Sequence, residues 1–463
     1  MHRIAPSRSH NPTPRAQLAK EVVLQPTASL RPFPGNPRKH PQAQISRLMR
    51  VIANGWTNPI LIDETNTILC GHGRLEAAKR LGLDRVPTLT VTGLSAAAKR
   101  ALVISDNKLG EQAVWDFDLL ENHLRELIDL DFDVELTGFS TGEVDILLDG
   151  TPTKKEVNDP DDDLDDSGLS GPAVSIAGDL WQLGPHRLYC GSALEARSYE
   201  VLMGGEPAQM VVTDPPYNVK ISGHVRGRGC KHHREFAMAS GEMSDAEFVS
   251  FLERAMSRAV AASTDGSIHY WFIDWRHLYD LQRAARPLYS EFKNLLVWNK
   301  TNAGQGAFYR SKHELVAVFK NDTAPHTNNF GLGEGGRYRT NVLDYPGVNS
   351  LVANRKEEMD AHPTVKPVAL IADLMRDCSR RNGIVLDSFA GSGTVLLAAQ
   401  RTGRIARAIE IDPAYVDLAI RRWERATGET ARHESGKTFA ELSHERCSSD
   451  DKSISMIQRG AVR

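Results

Sequence analysis

Cysteine is scarce in this 463-residue chain, and the five present, Cys70, Cys190, Cys230, Cys378 and Cys447, are scattered and odd in number. That argues against a disulfide framework and leaves no CxxC pair for a metal, so free thiols and no metal site are expected. A long apolar run is missing as well. Nothing approaches the length that spans a bilayer, and Met1 to Arg15 is polar and proline-containing without a signal core. A cytoplasmic protein of bacterial or phage origin is the expectation. Charge of one sign is also lacking, since 56 Lys and Arg stand against 59 Asp and Glu, a net of −3 that gives no bulk signal for nucleic acid. What is there, 41% hydrophobic and 25% charged residues, is the composition of a globular protein.

The length calls for two or three folded units. The stretch from Thr151 to Pro172 mixes Pro, Gly and Ser with Asp159, Asp161, Asp162, Asp163, Asp165 and Asp166, a linker composition with too few apolar residues to bury a core. The expected organisation is a disordered head over 1–20, a first domain with a helical extension over 21–150, an acidic linker over 151–175, a second domain over 176–428, and a disordered tail over 429–463. No internal repeat is visible.

In the first half, Pro59 to Ile62 and Thr67 to Cys70 read as short strands around a turn at Glu64 to Asn66. Gly71-His72-Gly73-Arg74 then opens a helix, Leu75 to Leu81, closed by Gly82, before Val86 to Val91 returns to strand. A glycine turn at a helix N-terminus with an arginine beside it suits an anion, though a structural turn with a surface arginine is an equal reading. Asn36-Pro37-Arg38, Asn58-Pro59-Ile60 and Gly71 to Lys79 resemble the boxes of ParB-type N-terminal domains over roughly Val22 to Trp115. His72 and Gly73 stand where partitioning proteins of that family carry an acidic and a basic residue. The resemblance implies an accessory nucleic-acid or nucleotide role, with Gly71, His72, Gly73 and Arg74 as its site. Leu119 to Leu148 reads as amphipathic helix with turns, packed on this domain.

Two motifs in the second half are more specific. Val211-Val212-Thr213 reads as a strand ending in Asp214-Pro215-Pro216-Tyr217. An exocyclic base amine is a poor nucleophile because its lone pair is delocalised into the ring. A carboxylate from Asp214 and the carbonyl of Pro215 can accept its two N–H bonds and free that lone pair, with Pro215 and Pro216 stiffening the loop. Tyr217 can stack on a base flipped out of the duplex. A strand-ending Asp-Pro turn with a packing tyrosine is the plain alternative. The second motif, Ile384 to Thr394, reads as strand, glycine loop and helix, followed by a strand Ile405 to Ile409 that ends at Glu410. Gly391 and Gly393 permit close backbone approach, and Glu410 lies near the spacing at which an acid meets ribose hydroxyls. A dinucleotide fingerprint needs a third glycine where Leu396 stands, which disfavours NAD and FAD.

Together with His362-Pro363-Thr364-Val365-Lys366-Pro367, these motifs resemble the amino-methylating DNA methyltransferases that use S-adenosylmethionine, in the β-type order of tetrad, variable region, lysine motif and glycine loop. The resemblance covers roughly Gly178 to Thr427 and implies a fold class: α/β, a Rossmann-like S-adenosylmethionine-dependent methyltransferase domain plus a smaller α+β ParB-like N-terminal domain. It implies Asp214, Pro215, Pro216 and Tyr217 as catalytic residues. Asp387, Phe389, Gly391, Gly393, Thr394 and Glu410 would hold the cofactor, with Thr364 and Lys366 near its methionine end. Ser192 stands where relatives carry an aspartate that contacts the adenine.

Residues 218–361 would hold target recognition. Arg226, Arg228, Lys231 and Arg234 form a basic stretch beside the tetrad, with a solvated loop as the rival reading. Arg310 and Lys312, within Tyr309 to Glu314, and the run Arg337-Tyr338-Arg339 are further candidates against plain surface charge. Cys230, His232 and His233 lack a second ligand pair for zinc. Trp271, Trp275 and Trp298 read as core. The expected partners are double-stranded DNA, a nucleotide at the ParB-like domain, and a second copy of the chain. The expected reaction is direct methylation of a base amine, and the resemblance implies adenine N6, because a tetrad headed by aspartate looks more like the adenine-modifying members of the family. Its rivals are N4-cytosine methylation, methylation of RNA or a protein glutamine, a non-catalytic ParB-like adaptor, and a nuclease activity of the first half.

Overall fold

The computed structural model describes residues 17–18, 21–110, 112–149, 159–162, 172–219, 241–300, 309–330, 339–347 and 365–446. The chain divides into two compact units, Met1–Leu148 and Asp149–Arg463. Among the described residues, no helix is long and apolar enough to cross a membrane.

The first unit is α+β. Its sheet holds β1 (Gln17–Leu18), β2 (Val23–Pro26), β3 (Ile60–Ile62), β4 (Ile68–Cys70) and β5 (Arg85–Thr92) in the order β1-β5-β3-β4, with β2 also on β5. Asp63 makes the hairpin between β3 and β4, because its carboxylate accepts from the amides of Thr65 and Thr67, each at 2.9 Å, and leaves Asn66 at positive φ. Leu30, Ile60, Ile62, Ile68, Leu75, Ala78 and Val86 form the core under the helix His72–Arg80. The extension is two helices, Phe117–Asp129 and Thr141–Asp149, around a 3-10 turn, Val134–Thr137. Arg50 ties that turn to the domain through Asp133, at 2.7 Å, and Glu135. The head expected to be disordered over 1–20 departs from that at Gln17–Leu18, which pair with Val91–Thr92; a strand edge was open to them.

The second unit is a Rossmann-like α/β fold. Its ten described strands are β6 (Leu180–Leu183), β7 (His186–Cys190), β8 (Ala208–Thr213), β9 (Ser263–Ile273), β10 (Glu291–Asn299), β11 (His313–Lys320), β12 (Val342–Asp344), β13 (Ile384–Asp387), β14 (Ile405–Glu410) and β15 (Arg432–His433). They run in the order β12-β10-β11-β9-β8-β13-β14-β7-β6-β15, with β9, β8, β13, β14 and β7 parallel. Strand side chains alternate between two cores, as a period of two requires. Met210, Val212, Tyr270 and Phe272 pack with the helices Val368–Cys378, Thr394–Thr402 and Pro413–Thr427. Val211, Trp271 and Ile273 pack with Ala196–Met203, Asp245–Ala261 and Leu278–Ala285 on the other face.

Three expectations change here. The tail, expected to be disordered over 429–463, is ordered to residue 446: β15 pairs with β6, residues 439–446 are helical, and Phe439 and Leu442 bury against the core that contains Trp181. Arg446 closes it on Asp179 at 2.6 Å. Its few apolar residues suffice because a ready-made aromatic surface receives them. The acidic linker is docked where it is described: Arg401 holds Asp159 at 2.6 Å and Asp161 at 2.5 Å, and Asp162 accepts from the amide of Val368 at 2.8 Å. Ion pairing replaces the apolar burial that the segment lacks. Trp271 and Trp298 are core, but Trp275 is more than half exposed, with the Arg276 guanidinium 4.8 Å from its ring centroid.

Candidate active site

The three parallel strands β8, β13 and β14 bring three sequence-distant motifs to one edge. β8 runs into Asp214-Pro215-Pro216-Tyr217, β13 ends at Asp387 before the glycine loop, and β14 ends at Glu410. The chain leaves β8 towards β9 and leaves β13 towards β14, so the crevice between β8 and β13 is where the strand order reverses, the usual binding place of such sheets. One cavity there is lined by the whole tetrad, Lys366, Asp387, Phe389, Gly391, Thr394 and Glu410.

On the glycine-loop side, Gly393 has φ +80, and a Cβ there would meet the Ala419 Cβ at 2.6 Å, so the helix Pro413–Thr427 can pack close only against glycine. The amides of Gly391 and Asp412 donate to the two oxygens of Glu410, at 2.7 and 2.8 Å. Burial pushes the Glu410 carboxyl up to about 7 despite these bonds. Asp387 is likewise raised by burial to about 7, although Thr213 donates to it at 2.7 Å and the Phe389 amide at 3.0 Å. The Phe389 ring packs 5.9 Å from Phe251. Two carboxyls on neighbouring strands above a glycine loop give a nucleoside both acceptors for its hydroxyls and room for its backbone approach.

Arg422 underpins the loop and carried no sequence signal. It is buried and donates to the carbonyl and hydroxyl of Ser392 and to the Thr394 hydroxyl, at 3.1 to 3.2 Å, and also to the carbonyl of Asp161 at 2.6 Å. Thr394 in turn donates to the carbonyl of Lys366 at 3.4 Å. The Ser192 hydroxyl accepts from the Leu194 amide at 3.2 Å.

On the tetrad side, the Tyr217 hydroxyl donates to Asp214 Oδ1 at 2.5 Å, and its ring packs against both cores. Lys366, expected near the methionine end of a cofactor, lines the same cavity, and its ammonium lies 2.5 Å from Asp214 Oδ2 and 3.1 Å from Glu314 Oε2. Glu314 also pairs with Lys300. Burial raises the Asp214 carboxyl above its ordinary value, with the Lys366 ammonium opposing and the Glu314 charge reinforcing the shift. Burial pushes Glu314 the same way, but the ammonium groups of Lys366 and Lys300 outweigh it and hold that carboxyl at about 2. In the sequence Glu314 closed a run of basic and aromatic DNA-contact candidates, and its part in this cluster had no motif to betray it.

The remaining candidates are placed elsewhere or not described. Thr364, Arg226, Arg228, Lys231, Arg234, Arg337 and Tyr338 lie outside the described residues. Arg310 and Lys312 are exposed just before and at the foot of β11. Arg339 does not face outward: it pairs with Asp373 at 2.8 Å and Asp377 at 3.3 Å, because a guanidinium beside two buried carboxylates is better satisfied there than at the surface. In the first unit, Gly71 takes the left-handed conformation that starts the helix, and Gly73 is buried, where a Cβ would stand 3.1 Å from the Leu48 side chain and 3.2 Å from that of His40. The Phe33 amide donates to His72 Nε2 at 3.1 Å, and burial lowers that imidazole's affinity for a proton. Arg74 donates to the carbonyls of Asn58 and Pro59, at 3.0 and 2.9 Å. His72 and Arg74 thus hydrogen-bond within their own domain, in keeping with the structural-turn reading that stood beside the anion one.

Residues 208–421 match the family described as DNA methylase, of the N6 and N4 type, and residues 118–176 match the ParB-methyltransferase HTH domain. The second match covers the two helices of the extension, for which the sequence alone suggests only packing on the first domain. The chain is similar to the type II methyltransferase M.ScaI of Streptomyces caespitosus, 27% identical over 273 residues, 51% of this chain and 81% of that protein. It is also similar to the ParB-like nuclease domain-containing protein YnaK of Escherichia coli (strain K12), 41% identical over 81 residues, 17% of this chain and 93% of that protein. Among solved structures, M1.HpyAVI in its SAM complex is 20% identical, covering 51% of this chain and 98% of that one with a TM-score of 0.36.

Proposed function

The chain belongs to the amino-methylating DNA methylases and carries a ParB-like domain ahead of the methylase, and from that premise we propose that it methylates the N6 amine of adenine in duplex DNA with S-adenosylmethionine. The observation that carries the reading is the shared cavity: the tetrad and the glycine loop with Glu410 line one space at the switch point of the sheet. Glu410 and Asp387 would accept from the nucleoside half of the cofactor, and Gly391, which lines the cavity, would let it approach the backbone, while Gly393 lets the helix Pro413–Thr427 close in behind the loop. The chemistry that S-adenosylmethionine supplies when bound is an electrophilic methyl group on sulfur. The chain's part is to present the nitrogen. Asp214 and the Pro215 carbonyl accept the two amine hydrogens, and Asp214 receives the proton the amine gives up. An aspartate with a raised carboxyl suits that last task, since it holds a proton more readily than a free side chain.

The test is nucleoside mass spectrometry on unmethylated plasmid DNA incubated with the protein and S-adenosylmethionine. N6-methyladenine is the expected product. N4-methylcytosine would correct the base, and unmodified DNA from a protein that binds the cofactor would overturn the DNA reading.

A further inference from the structure

Both oxygens of Asp214 are engaged, Oδ1 by the Tyr217 hydroxyl and Oδ2 by the Lys366 ammonium. A carboxylate oxygen can accept from more than one donor, so a base amine that donates to this carboxylate shares an oxygen with one of them, and its bond is strongest where that donor can move aside. The ammonium is the harder to move. Lys366 is buried, with its Nζ 5.2 and 5.9 Å from the ring centroids of Phe272 and Trp298, and withdrawing a charge from such a place strands its partner. The hydroxyl has somewhere to go, since Glu314 Oε2 lies 3.4 Å from it.

We propose that Glu314 is a positioning residue of the methyl transfer: it takes over the Tyr217 hydroxyl while sharing the Lys366 ammonium, so that Oδ1 of Asp214 is released to the amine of the base. This rests on the methylase reading above. The placement follows from the sheet. Glu314 opposes Trp298 in the antiparallel register of β10 and β11, which sets Lys300 within reach of its other oxygen and 4.5 Å from the Trp298 ring centroid. Two carboxylates and two ammonium groups balance, so the cluster is neutral and Asp214 never has to carry Lys366 alone.

Glu314→Gln tests it. The groups that face Asp214 are Tyr217, Lys366 and Glu314, with Lys300 behind Glu314 and Asp387 across the cavity; Asp274 adds to the field at Tyr217. Removing the Glu314 charge removes a neighbour that raises the Asp214 carboxyl, so that carboxyl has to titrate at lower pH. The expected result is a fall in kcat of roughly 10–100-fold with KM for S-adenosylmethionine within about twofold, and an acid limb of the kcat profile shifted to lower pH. The 13C carboxyl resonance of Asp214, identified by its loss in Asp214→Asn, shifts its titration in the same direction. Glu314→Asp keeps the charge and restores the wild-type titration. A Glu314→Gln protein with wild-type kcat, or with an unmoved Asp214 resonance, overturns the inference. Failure of the methylase reading looks different: the wild type labels no DNA, while the resonance still reports whether Glu314 governs Asp214.

Discussion

Cofactor affinity should depend on pH through Glu410, and the direction can be worked from the site. Burial raises this carboxyl from 4.5 to about 7, and one pKa unit corresponds to about 1.4 kcal/mol. Keeping it ionised in the folded protein therefore costs about 3 kcal/mol at high pH. The sign for stability follows: the contribution is fully present below the unfolded value near 4.5 and is lost as pH rises through 7. The sign for binding is opposite, because ribose hydroxyls donate and the ionised carboxylate is the better acceptor. Between about pH 5 and 7 the Kd for S-adenosylmethionine should tighten by up to about tenfold per unit for the one proton released, and level off above. A hydrogen bond to a charged group is worth about 1.5–3 kcal/mol, so Glu410→Gln should loosen Kd by roughly 10–150-fold at pH 8. Isothermal titration from pH 5.5 to 8.5 measures this, with Asp387→Asn beside it because Asp387 is raised to about 7 in the same cavity. A wild-type Kd that does not change with pH, or a Glu410→Gln protein that binds as wild type, would refute the reasoning.

Gly393→Ala should destabilise the second unit by about 2–5 kcal/mol, from the left-handed backbone and the overlap with Ala419 together. Thermal unfolding with a wild-type midpoint would contradict it. Phe439→Ala should cost about 3 kcal/mol and lower the melting temperature by several degrees, since the ring packs 5.6 Å from Trp181; a silent substitution would mean that the tail adds nothing to the fold.

Much of the site was legible because its parts are local. A strand ending in Asp-Pro-Pro-Tyr and a strand feeding Gly-Ser-Gly each declare their conformation within a few residues, and both lie at strand ends as read. What escaped depends on pairing across long stretches of chain. Glu314 acquires its role because β11 lies between β9 and β10, and Arg422 because a helix beginning at Pro413 packs beneath the loop. Neither residue type nor spacing announces that. The tail and the acidic segment were misjudged for a related reason: composition measures whether a segment can build its own core, and these two borrow one. Trp181 and Arg401 supply the surfaces they dock on. His72 and Arg74 show the converse, residues of anion-binding type whose polar atoms serve their own loop.

The central claim, that Asp214 and the glycine loop serve one methyl transfer to DNA, is tested most directly by single-turnover transfer of labelled methyl from S-adenosylmethionine to duplex DNA in the wild type and in Asp214→Ala. Label in adenine is expected for the wild type, and for the variant cofactor binding within about threefold of wild type with transfer reduced by at least about a hundredfold. Transfer at the wild-type rate by Asp214→Ala would contradict it.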